Sequence, residues 1–205
     1  MSQIENKLVS VVILNWNGEK LLRRFLPSVA ANMPETAQLI IADNGSTDTS
    51  LTYVRSAFPD IKIIAFPENL GFSEGYNRAL SQITTPYTVL LNSDVEAKSD
   101  WVTPLLEYME SHPDTGACQP KILSAQNPDS FEYAGASGGF IDRHGYPYCR
   151  GRIFDTVEKD NGQYNLPMSV FWASGAALMV RTALYNETGG LDTRFFAHME
   201  EIDLC

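Results

Sequence analysis

Apolar and polar positions alternate along the first 112 residues in a pattern that predicts four strands, each followed by a helix. The predicted strands are short apolar runs at residues 8–14, 38–42, 61–66 and 87–91. Such nearly unbroken runs are typical of strands that are buried on both faces, as in parallel sheets. Strands that alternate with helices predict an α/β fold, with a mostly parallel sheet and helices on both of its faces.

The helices are predicted where apolar side chains recur at every third or fourth position. These side chains, helix by helix, are Leu21, Leu22, Phe25, Leu26 and Val29; Leu51, Val54 and Phe58; Tyr76, Ala79, Leu80 and Ile83; and Val102, Leu105, Leu106 and Met109. Ser46 and Ser99 precede the second and fourth helices and are predicted to be their N-caps. Residues 71–75 are predicted to form a turn that leads into the third helix.

The regular pattern ends near residue 113. Glycine, proline, polar and aromatic residues are scattered from 124 to 167, and order returns at 169–180 and in a helix from Thr182. Irregular segments beside a rigid sheet often carry specificity. We therefore expect one domain with two halves, residues 1–112 and 113–205.

Composition narrows the class of protein. The chain has 205 residues, 44% hydrophobic content and a formal net charge of −10, without a Lys/Arg cluster, which argues against a nucleic-acid partner. Because no apolar run approaches the roughly 18 residues that span a bilayer, and Met1–Lys7 does not resemble a secretory signal, a cytoplasmic protein is expected.

Three widely separated cysteines argue against a disulfide framework or a zinc site. The acidic and apolar end, Glu200–Cys205, suggests the start of a helix and a fragment of a longer protein.

Carboxylates follow two of the predicted strands. Asp43 begins the run DNGSTD at 43–48, and Asp94 ends the run NSD at 92–94. The carboxyl ends of parallel strands meet at the edge where α/β sheets bind ligands, so we expect both side chains there. They suit a divalent cation and a nucleotide, with Asp94 as the first choice of metal ligand and Asn92 or Glu96 as helpers. Taken singly, each run also fits a helix cap or a polar turn.

Two further clusters suggest chemistry. In NLGFSEGYN at 69–77, Gly71 and Gly75 would let the backbone approach a ligand, although an ordinary glycine-rich helix start is an equal alternative. The run is not GxGxxG, so a dinucleotide site is not supported. Glu200, Glu201 and Asp203 form an acidic cluster that would supply a general base for a sugar hydroxyl, or would favour a helix N-terminus.

Taken in order, these motifs resemble the family 2 glycosyltransferases, and within them the bacterial members described as rhamnosyltransferases. The resemblance covers essentially the whole chain and is carried by VSVVILNWNG (9–18), DNGSTD (43–48), NLGFSEGYN (69–77), LLNSDVE (90–96), WASGA (172–176), GGLD (189–192) and FFAHMEEIDLC (195–205). It implies a GT-A, Rossmann-like fold with a smaller mixed sheet on the acceptor side. It also implies a nucleotide-sugar donor, Mg²⁺ or Mn²⁺, and an inverting single displacement.

The resemblance also assigns roles to residues. The nucleotide-sugar-binding set is Asn15, Asn17, Asp43, Asn44, Ser46, Gly71, Gly75, Asn77, Asn92 and Ser93, with Asp43 on the base. Asn92-Ser93-Asp94 takes the place of the DxD metal motif, with Asn for its first Asp, so that Asp94 is the charged metal ligand there. Residues 1–112 would then bind the nucleotide sugar, and residues 113–205 would form the acceptor side.

The Glu-Asp dipeptide that supplies the family's base corresponds to Glu200-Glu201. We assign the base to Glu201, with Glu200 second and Asp203 third, and a Glu in place of Asp shifts the carboxylate by roughly 1.5 Å. Partial burial near Phe195 and Phe196 would raise its pKa toward the range of an efficient base. Trp172 and Gly175 are assigned to the acceptor. Trp172 would stack on a sugar face, with packing in the core as the favoured alternative.

The implied partners are a UDP- or dTDP-sugar and a glycan or lipid-linked acceptor. Such acceptors imply a role in cell-envelope polysaccharide biosynthesis and a peripheral contact with the inner face of the membrane, and the oligomeric state stays open. One alternative is a non-catalytic module that binds nucleotide sugars or carbohydrates. The other, a sugar-phosphate nucleotidyltransferase, ranks low because the loop after the first strand is Asn15-Trp16-Asn17-Gly18-Glu19 and lacks a glycine-rich, arginine-bearing sequence.

Overall fold

The computed structural model describes residues 7–195 and 198–205. The strands are β1 (Val9–Asn15), β2 (Ala37–Asn44), β3 (Lys62–Phe66), β4 (Tyr87–Leu91), β5 (Ala117–Cys118), β6 (Gly139–Ile141), β7 (Pro147–Cys149), β8 (Arg152–Ile153), β9 (Thr156–Val157) and β10 (Ala177–Arg181). The helices are α1 (Glu19–Ala31), α2 (Ser50–Ala57), α3 (Phe72–Leu80), α4 (Val102–Ser111), α5 (Thr182–Glu187) and α6 (Glu200–Leu204).

A six-stranded sheet in the order β3-β2-β1-β4-β10-β5 forms the framework of the fold. The first four strands in this order pair in parallel, whereas β10 pairs antiparallel with both β4 and β5. This arrangement confirms the predicted α/β class and the mostly parallel sheet. It also shows that the irregular half contributes two strands to the main sheet, so that the two halves share one framework.

Helices cover both faces of this sheet. On one face α1, α2 and α4 bury side chains such as Leu26, Val54 and Leu106, and on the other face α3 and α5 do the same. Neighbouring residues of β1 point to opposite faces, as Val11 and Val12 do, which is why its run is apolar except for the buried Ser10. Within the described ranges, no helix combines the length and the apolar character needed to cross a bilayer.

A second, smaller sheet lies within the irregular half. Its four strands follow each other in the order β6-β7-β8-β9, and each pairing is antiparallel, whereas a mixed sheet was expected. Successive strands joined by short turns produce this pattern, because a tight turn reverses the chain. Under the sheet lies a cluster of buried side chains that includes Phe131, Cys149 and Trp172.

Three predicted helix starts are wrong. α2 begins at Ser50 rather than near Ser46, because the Ser46 hydroxyl already accepts hydrogen bonds from the Asn15 side chain and the Asn17 N–H. α4 begins at Val102, and its first N–H groups bond to the Asp100 carboxylate instead of Ser99. α3 already begins at Phe72, so that Gly75 is a helical residue and not part of a preceding turn, and it ends before Ile83.

Candidate active site

Asn15 and Asp43 form the centre of the carboxyl edge of the sheet. They are paired in register at the ends of β1 and β2, and the side-chain amide of Asn15 donates to Asp43 Oδ1 over 2.8 Å. Asp43 Oδ2 accepts from the N–H of Ser46 at 3.1 Å. Because Asn15 and Asp43 are only 1% and 2% exposed, these bonds hold a carboxylate in a fixed orientation just beneath the rim.

The turn after β1 is held against the turn after β2 by Asn17. Its side-chain oxygen accepts from the N–H groups of Thr47 and Asp48 at 2.8 and 3.2 Å, and its own N–H donates to the hydroxyl of Ser46 at 2.9 Å. The backbone of Asn17 has a φ of 50°, a left-handed conformation that asparagine tolerates well. Asn17 and Ser46 therefore shape the rim around Asp43.

Asp48 fixes the starts of two helices. Its carboxylate accepts from the N–H of Glu19, the first residue of α1, and from the N–H of Ser50, the first residue of α2, both at 3.0 Å. Burial alone would raise the pKa of Asp48, but the hydrogen bonds from Ser50 and Glu19 outweigh it and lower that pKa. The helix-cap interpretation of this motif is thus correct for Asp48.

Trp16 is a residue at this rim that the sequence analysis did not single out. It lies between Asn15 and Asn17, and 58% of it is exposed although it is a large aromatic residue. Large aromatic side chains contribute free energy mainly when their apolar surface is buried in a contact. An exposed indole beside a polar site therefore suggests a surface on which a ligand stacks. The available signal was its position, because a bulky residue inside a polar Asn-Trp-Asn-Gly turn has no core to fill.

Asn44 and Asn77 are engaged in bonds within the protein. The Asn44 amide donates to Asn69 Oδ1 and to the Gly71 carbonyl at 2.9 and 2.8 Å, and its oxygen accepts from the N–H of Leu70. The Asn77 amide likewise donates to the Leu191 carbonyl and accepts from the Leu191 N–H. Asn44 thus holds the 69–71 segment beside the end of β2, whereas Asn77, in the second half of α3, holds Leu191. A direct contact of either side chain with a nucleotide stays a prediction.

The two glycines of the 69–77 motif differ in their surroundings. A Cβ on Gly75 would lie 3.0 Å from Leu14 Cδ1, so that this glycine lets α3 pack closely on β1. Gly71 has a φ of 82°, and no described atom lies within 4 Å of the position that its Cβ would take. Gly71 is therefore the one of the two that borders open space at the rim.

The Asn92-Ser93-Asp94 segment leaves the sheet at the same edge, directly after β4. The N–H of Asn92 donates to the Ala176 carbonyl at 3.0 Å, which anchors the segment to the start of β10. Asn92 and Ser93 are half-buried, and Asp94 is exposed. The Tyr76 hydroxyl donates to the Leu91 carbonyl at the end of β4. Burial raises the pKa of this hydroxyl, and the negative charge of Asp94 contributes to that shift.

The donors around Asp94 limit the kind of metal site that they would form. In the described part of the chain, no group of three or more His, Cys, Asp and Glu side chains is arranged to hold a metal ion. Mg²⁺ is usually held by one or two carboxylates, with substrate phosphates and waters as its other ligands. Asp94 with the oxygens of Asn92 and Ser93 fits such a shared site, and it does not fit an all-protein cage.

Glu201 reaches this edge from the last helix. A Cβ on Gly175 would lie 3.8 Å from Glu201 Cβ and 3.9 Å from its carboxyl carbon, so Glu201 packs directly on Gly175. The next residue, Ala176, accepts the hydrogen bond from Asn92, which brings the base candidate and the metal motif to the same strand ends. Burial raises the pKa of Glu201, and the charge of Glu200 raises it further, which suits a general base.

The neighbours of Glu201 have different environments. Glu200 is 7% exposed, and its Oε2 has no hydrogen-bond partner among the described residues, whereas Asp203 is exposed. His198 and Met199 have φ values of 71° and 76°, so two consecutive residues other than glycine adopt the left-handed conformation, which costs backbone strain. Of the two phenylalanines expected to bury this cluster, Phe196 lies outside the described residues.

Trp172 lies in the interior. It is 7% exposed, its indole N–H donates to the Phe140 carbonyl at 3.1 Å, and its ring packs on Gly139. This burial favours the packing alternative over stacking on a sugar. Trp172, Ala173 and Cys205 are among the residues that line a cavity of about 600 Å³.

Known proteins resemble this chain in sequence and in fold. The family model described as Glycosyl transferase family 2 matches residues 10–183. The N-acetylglucosaminyl-diphospho-decaprenol L-rhamnosyltransferase of Mycobacterium tuberculosis is 26% identical over 215 residues, covering 96% of this chain and 69% of that protein.

Two solved structures show the same fold. The S. aureus TarS fragment 1-349 in complex with UDP-GlcNAc has a TM-score of 0.65 and 17% identity, over 96% of this chain and 51% of that one. The mannosyltransferase PcManGT from Pyrobaculum calidifontis, in complex with GDP-Man and Mn²⁺, has a TM-score of 0.63 and 15% identity, over 98% and 51%. The likeness confirms the predicted GT-A fold, and the chain spans about half the length of both solved chains.

Proposed function

Because the chain belongs to glycosyl transferase family 2, we propose that it transfers a sugar from a nucleoside-diphosphate donor to a hydroxyl of a glycan or lipid-linked acceptor. The observation that carries this proposal is that three carboxylates approach one edge of the sheet. Asp43 ends β2, Asp94 follows β4, and Glu201 packs on Gly175 beside the start of β10. Each of them suits a different part of the reaction.

The nucleoside would bind over β1 and β2. Asp43 has a fixed orientation and would accept hydrogen bonds from a base N–H or a ribose hydroxyl. Trp16 would stack on the base, and the open space at Gly71 would admit the ligand close to the backbone. We propose a UDP- or dTDP-sugar as the donor, in keeping with the nucleotide-sugar complex of TarS.

The diphosphate would lie beside the 92–94 segment. Asp94, with Asn92 and Ser93, would hold Mg²⁺ or Mn²⁺, and the ion would neutralise charge on the leaving diphosphate. The Mn²⁺ in the PcManGT complex supports this assignment by analogy. An exposed carboxylate would suit this role, because it would be reachable by a cation bound to the donor diphosphate.

Glu201 would act as the general base. Its carboxylate would take the proton of the acceptor hydroxyl while the hydroxyl oxygen attacks the anomeric carbon from the face opposite the diphosphate, which inverts the configuration. Desolvation makes the carboxylate a stronger base than an exposed glutamate, as its raised pKa indicates. Glu200 and Asp203 are the second and third choices for this role, and Gly175, which lacks a side chain, would leave room for the acceptor.

The acceptor would approach Glu201 from the irregular half of the domain, residues 113–205. The M. tuberculosis relative is named for an acceptor in which a sugar is joined through a diphosphate to decaprenol. By analogy, we propose a lipid-linked or glycan acceptor for this chain and a location at the cytoplasmic face of a membrane, with a role in cell-envelope polysaccharide synthesis.

Donor turnover tests the proposal. The protein is incubated with UDP-, dTDP- and GDP-sugars and Mn²⁺, and the released nucleoside diphosphate is measured with and without acceptors. We expect release with at least one donor, its loss in Glu201→Gln, and unchanged donor affinity of that variant by calorimetry. A protein that binds a donor, but whose slow release is the same in Glu201→Gln, would be a binding module. Failure to bind any nucleotide would contradict both functions.

A further inference from the structure

Gln119 joins three segments of the irregular half. It directly follows β5, the edge strand of the main sheet, and is half-buried. Its side-chain oxygen accepts from the N–H of Ser174 at 2.6 Å, and its amide donates to the carbonyl groups of Gly135 and Pro120, both at 3.1 Å. One of the three segments is WASGA at 172–176, on which the candidate base packs.

The turn that begins at Ser174 is held by further bonds. Ser174 is 3% exposed, and its hydroxyl donates to the Ala134 carbonyl and accepts from the N–H of Ala176, each at 3.3 Å. Its carbonyl accepts from the N–H of Ala177, the first residue of β10, at 3.2 Å. A Cβ on Gly135 would lie 2.3 Å from Ser174 Cβ, so the two backbones are in close contact. These contacts fix the conformation of the turn.

The bonds of Ser174 decide where the N–H of Gly175 points. The Ser174 carbonyl and the Gly175 N–H belong to one trans peptide, in which they point in opposite directions. Because the carbonyl is bonded to Ala177, the N–H points away from that residue. Burial raises the pKa of Glu201, and hydrogen bonds from the N–H groups of Glu201 itself and of Gly175 oppose that rise. The Gly175 N–H therefore lies at the Glu201 carboxylate.

The last helix contacts the same segment through two side chains one turn apart. Glu201 packs on Gly175, and Cys205 lies beside the backbone of Ala173, since burial raises the pKa of the Cys205 thiol and a hydrogen bond with Ala173 opposes that rise. Residues four apart on a helix share a face. The position of Glu201 thus depends on the position of residues 173–175.

We propose that Gln119 is a positioning residue for the general base. By holding the N–H of Ser174, it fixes the peptide that directs the Gly175 N–H to the Glu201 carboxylate and keeps this carboxylate oriented for proton transfer. A glutamine side chain suits the role, because it supplies one acceptor to Ser174 and one donor to Gly135. The inference rests on the proposed function, in which Glu201 is the base.

The ionisable groups that act on Glu201 are unchanged when Gln119 is replaced. Besides burial, the main cause of the raised pKa of Glu201, the charge of Glu200 raises it and that of His198 lowers it. Cys205, one turn later, also interacts with Glu201. When one uncharged residue replaces another at position 119, a shift in the titration of Glu201 therefore reports a change in its hydrogen bonds or its burial.

A carboxyl NMR titration of the whole chain tests the proposal. The glutamate side chains are isotope-labelled at their carboxyl groups, and the Glu201 signal is the one missing from Glu201→Gln. Methionine has nearly the shape of glutamine without its donor and acceptor. We expect Gln119→Met to raise the titration midpoint of Glu201 by about half a pH unit, because a hydrogen bond to its charged form is lost.

Gln38→Met is the matched control. Gln38 is also a half-buried glutamine, and its amide donates to the Ser10 hydroxyl at 2.8 Å. It lies near the start of β2, at the opposite end of that strand from Asp43. Gln38→Met should therefore lose a side-chain hydrogen bond and leave the titration midpoint of Glu201 unchanged.

The kinetics of Gln119→Met should separate positioning from binding. A misplaced base slows proton transfer, so we expect kcat to fall about tenfold and the acid limb of the pH–rate profile to move to higher pH. Donor affinity in Mn²⁺, measured by calorimetry, should stay the same, because Asp43 and the 92–94 segment are not altered. A loss of donor affinity with an unchanged midpoint would show that Gln119 acts on the 92–94 segment, and would overturn the proposal.

The direction of the shift decides the remaining outcomes. A midpoint that is unchanged or lower in folded Gln119→Met would overturn the proposal, because a carboxylate that only became more hydrated would titrate at lower pH. If thermal unfolding shows that this variant does not fold, Ser174→Ala loosens the same turn and should raise the midpoint in the same way. A raised midpoint in a protein without transferase activity would support the contact and contradict the proposed function.

Discussion

Glu201 packs directly on Gly175, with 3.8 Å between its Cβ and the position that a Cβ on Gly175 would take. Gly175 is joined through the next residue, Ala176, to Asn92 at the start of the Asn92-Ser93-Asp94 segment. The candidate base and the candidate metal motif are therefore both held at the end of β4 and the start of β10. This relationship makes both positions depend on β4 and β10 rather than on free loops.

The pH dependence of stability should report on Glu201. A carboxylate whose pKa is raised by folding stabilises the native state below its unfolded pKa, and this contribution is lost as pH rises through the folded value. Glu201→Gln does not titrate, so that it should be more stable than the original protein at neutral pH and should lose this part of the pH dependence. Urea unfolding at pH values from about 4 to 8 measures both effects. Parallel stability curves for the two proteins would contradict the burial of this carboxylate.

The pH dependence of catalysis should also report the titration of Glu201. Because the base must be deprotonated, kcat/KM should fall on the acid side with a midpoint above the pKa of an exposed glutamate. The measurement is a pH–rate profile of donor turnover, together with Glu201→Asp, which shortens the side chain but keeps a titrating carboxylate. A profile without an acid limb would exclude Glu201 as the base.

Replacement of Asp94 should affect donor binding only when a cation is present. Asp94→Ala is expected to weaken the affinity for UDP or dTDP about tenfold or more in Mn²⁺ and to change it little in a chelator. Calorimetry with and without Mn²⁺ makes the comparison. Asp60→Ala is the matched control, since Asp60 is also exposed but precedes β3, at the opposite edge of the sheet. If both variants bind like the original protein, Asp94 is not the metal ligand.

Two glycines of the irregular half should respond differently to alanine. A Cβ on Gly139 would lie 1.8 Å from Trp172 Cε2, so that Gly139→Ala must displace a buried indole and should cost about 2 kcal/mol or more of the free energy of unfolding. Gly175→Ala makes an ordinary contact with Glu201 and should cost less than about 1 kcal/mol. Urea unfolding of the two variants measures these losses in the free energy of unfolding. Similar losses in both variants would argue against the packing of Trp172 on Gly139.

Gly45 and Gly71 provide a second pair, because both have positive φ values, of 72° and 82°. An alanine Cβ at Gly45 would lie 2.4 Å from the Glu68 backbone, whereas at Gly71 it would meet no described atom within 4 Å. Gly71→Ala should therefore cost only the backbone strain, about 1–2 kcal/mol, and should weaken nucleotide binding. Gly45→Ala should be the less stable variant in thermal unfolding. A Gly71→Ala protein with full nucleotide affinity would show that the donor does not use this space.

Trp16→Ala tests the proposed stacking surface. Because the side chain is largely exposed, its loss should leave the thermal unfolding temperature nearly unchanged while weakening nucleotide affinity about tenfold. Phe171→Ala, at another exposed aromatic residue that is 54% exposed, is the matched control and should bind nucleotide normally. Equal affinities of the two variants would remove Trp16 from the site.

The main sheet was predictable because burial on both faces leaves an unmistakable apolar run, as in β1 and β4. The first residues of the helices were harder to predict, because several side chains compete to accept hydrogen bonds from the same N–H groups. Asp48 and Asp100 win this competition over the serines that were chosen, since a carboxylate is the stronger acceptor. The strands of the small sheet are only two or three residues long, too short for any periodicity to show.

The site was predictable in part for a related reason. Asp43 and Asp94 follow predicted strands directly, so that the topology alone brings them to one edge. Asn77 was assigned to the nucleotide, yet its amide bonds to Leu191, which is 114 residues away along the chain. Contacts of that kind depend on tertiary packing, which a single sequence does not reveal.

The antiparallel insertion of β10 also bears on how the protein is made. All five residues of β4 are buried, and one of its edges pairs with β10, which follows only after residue 176. During synthesis β4 therefore emerges long before the strand that completes its pairing, and non-local pairings of this kind slow folding. Until β10 has been made, this edge of β4 is open to mispairing with another nascent chain, and we expect a risk of aggregation during that interval.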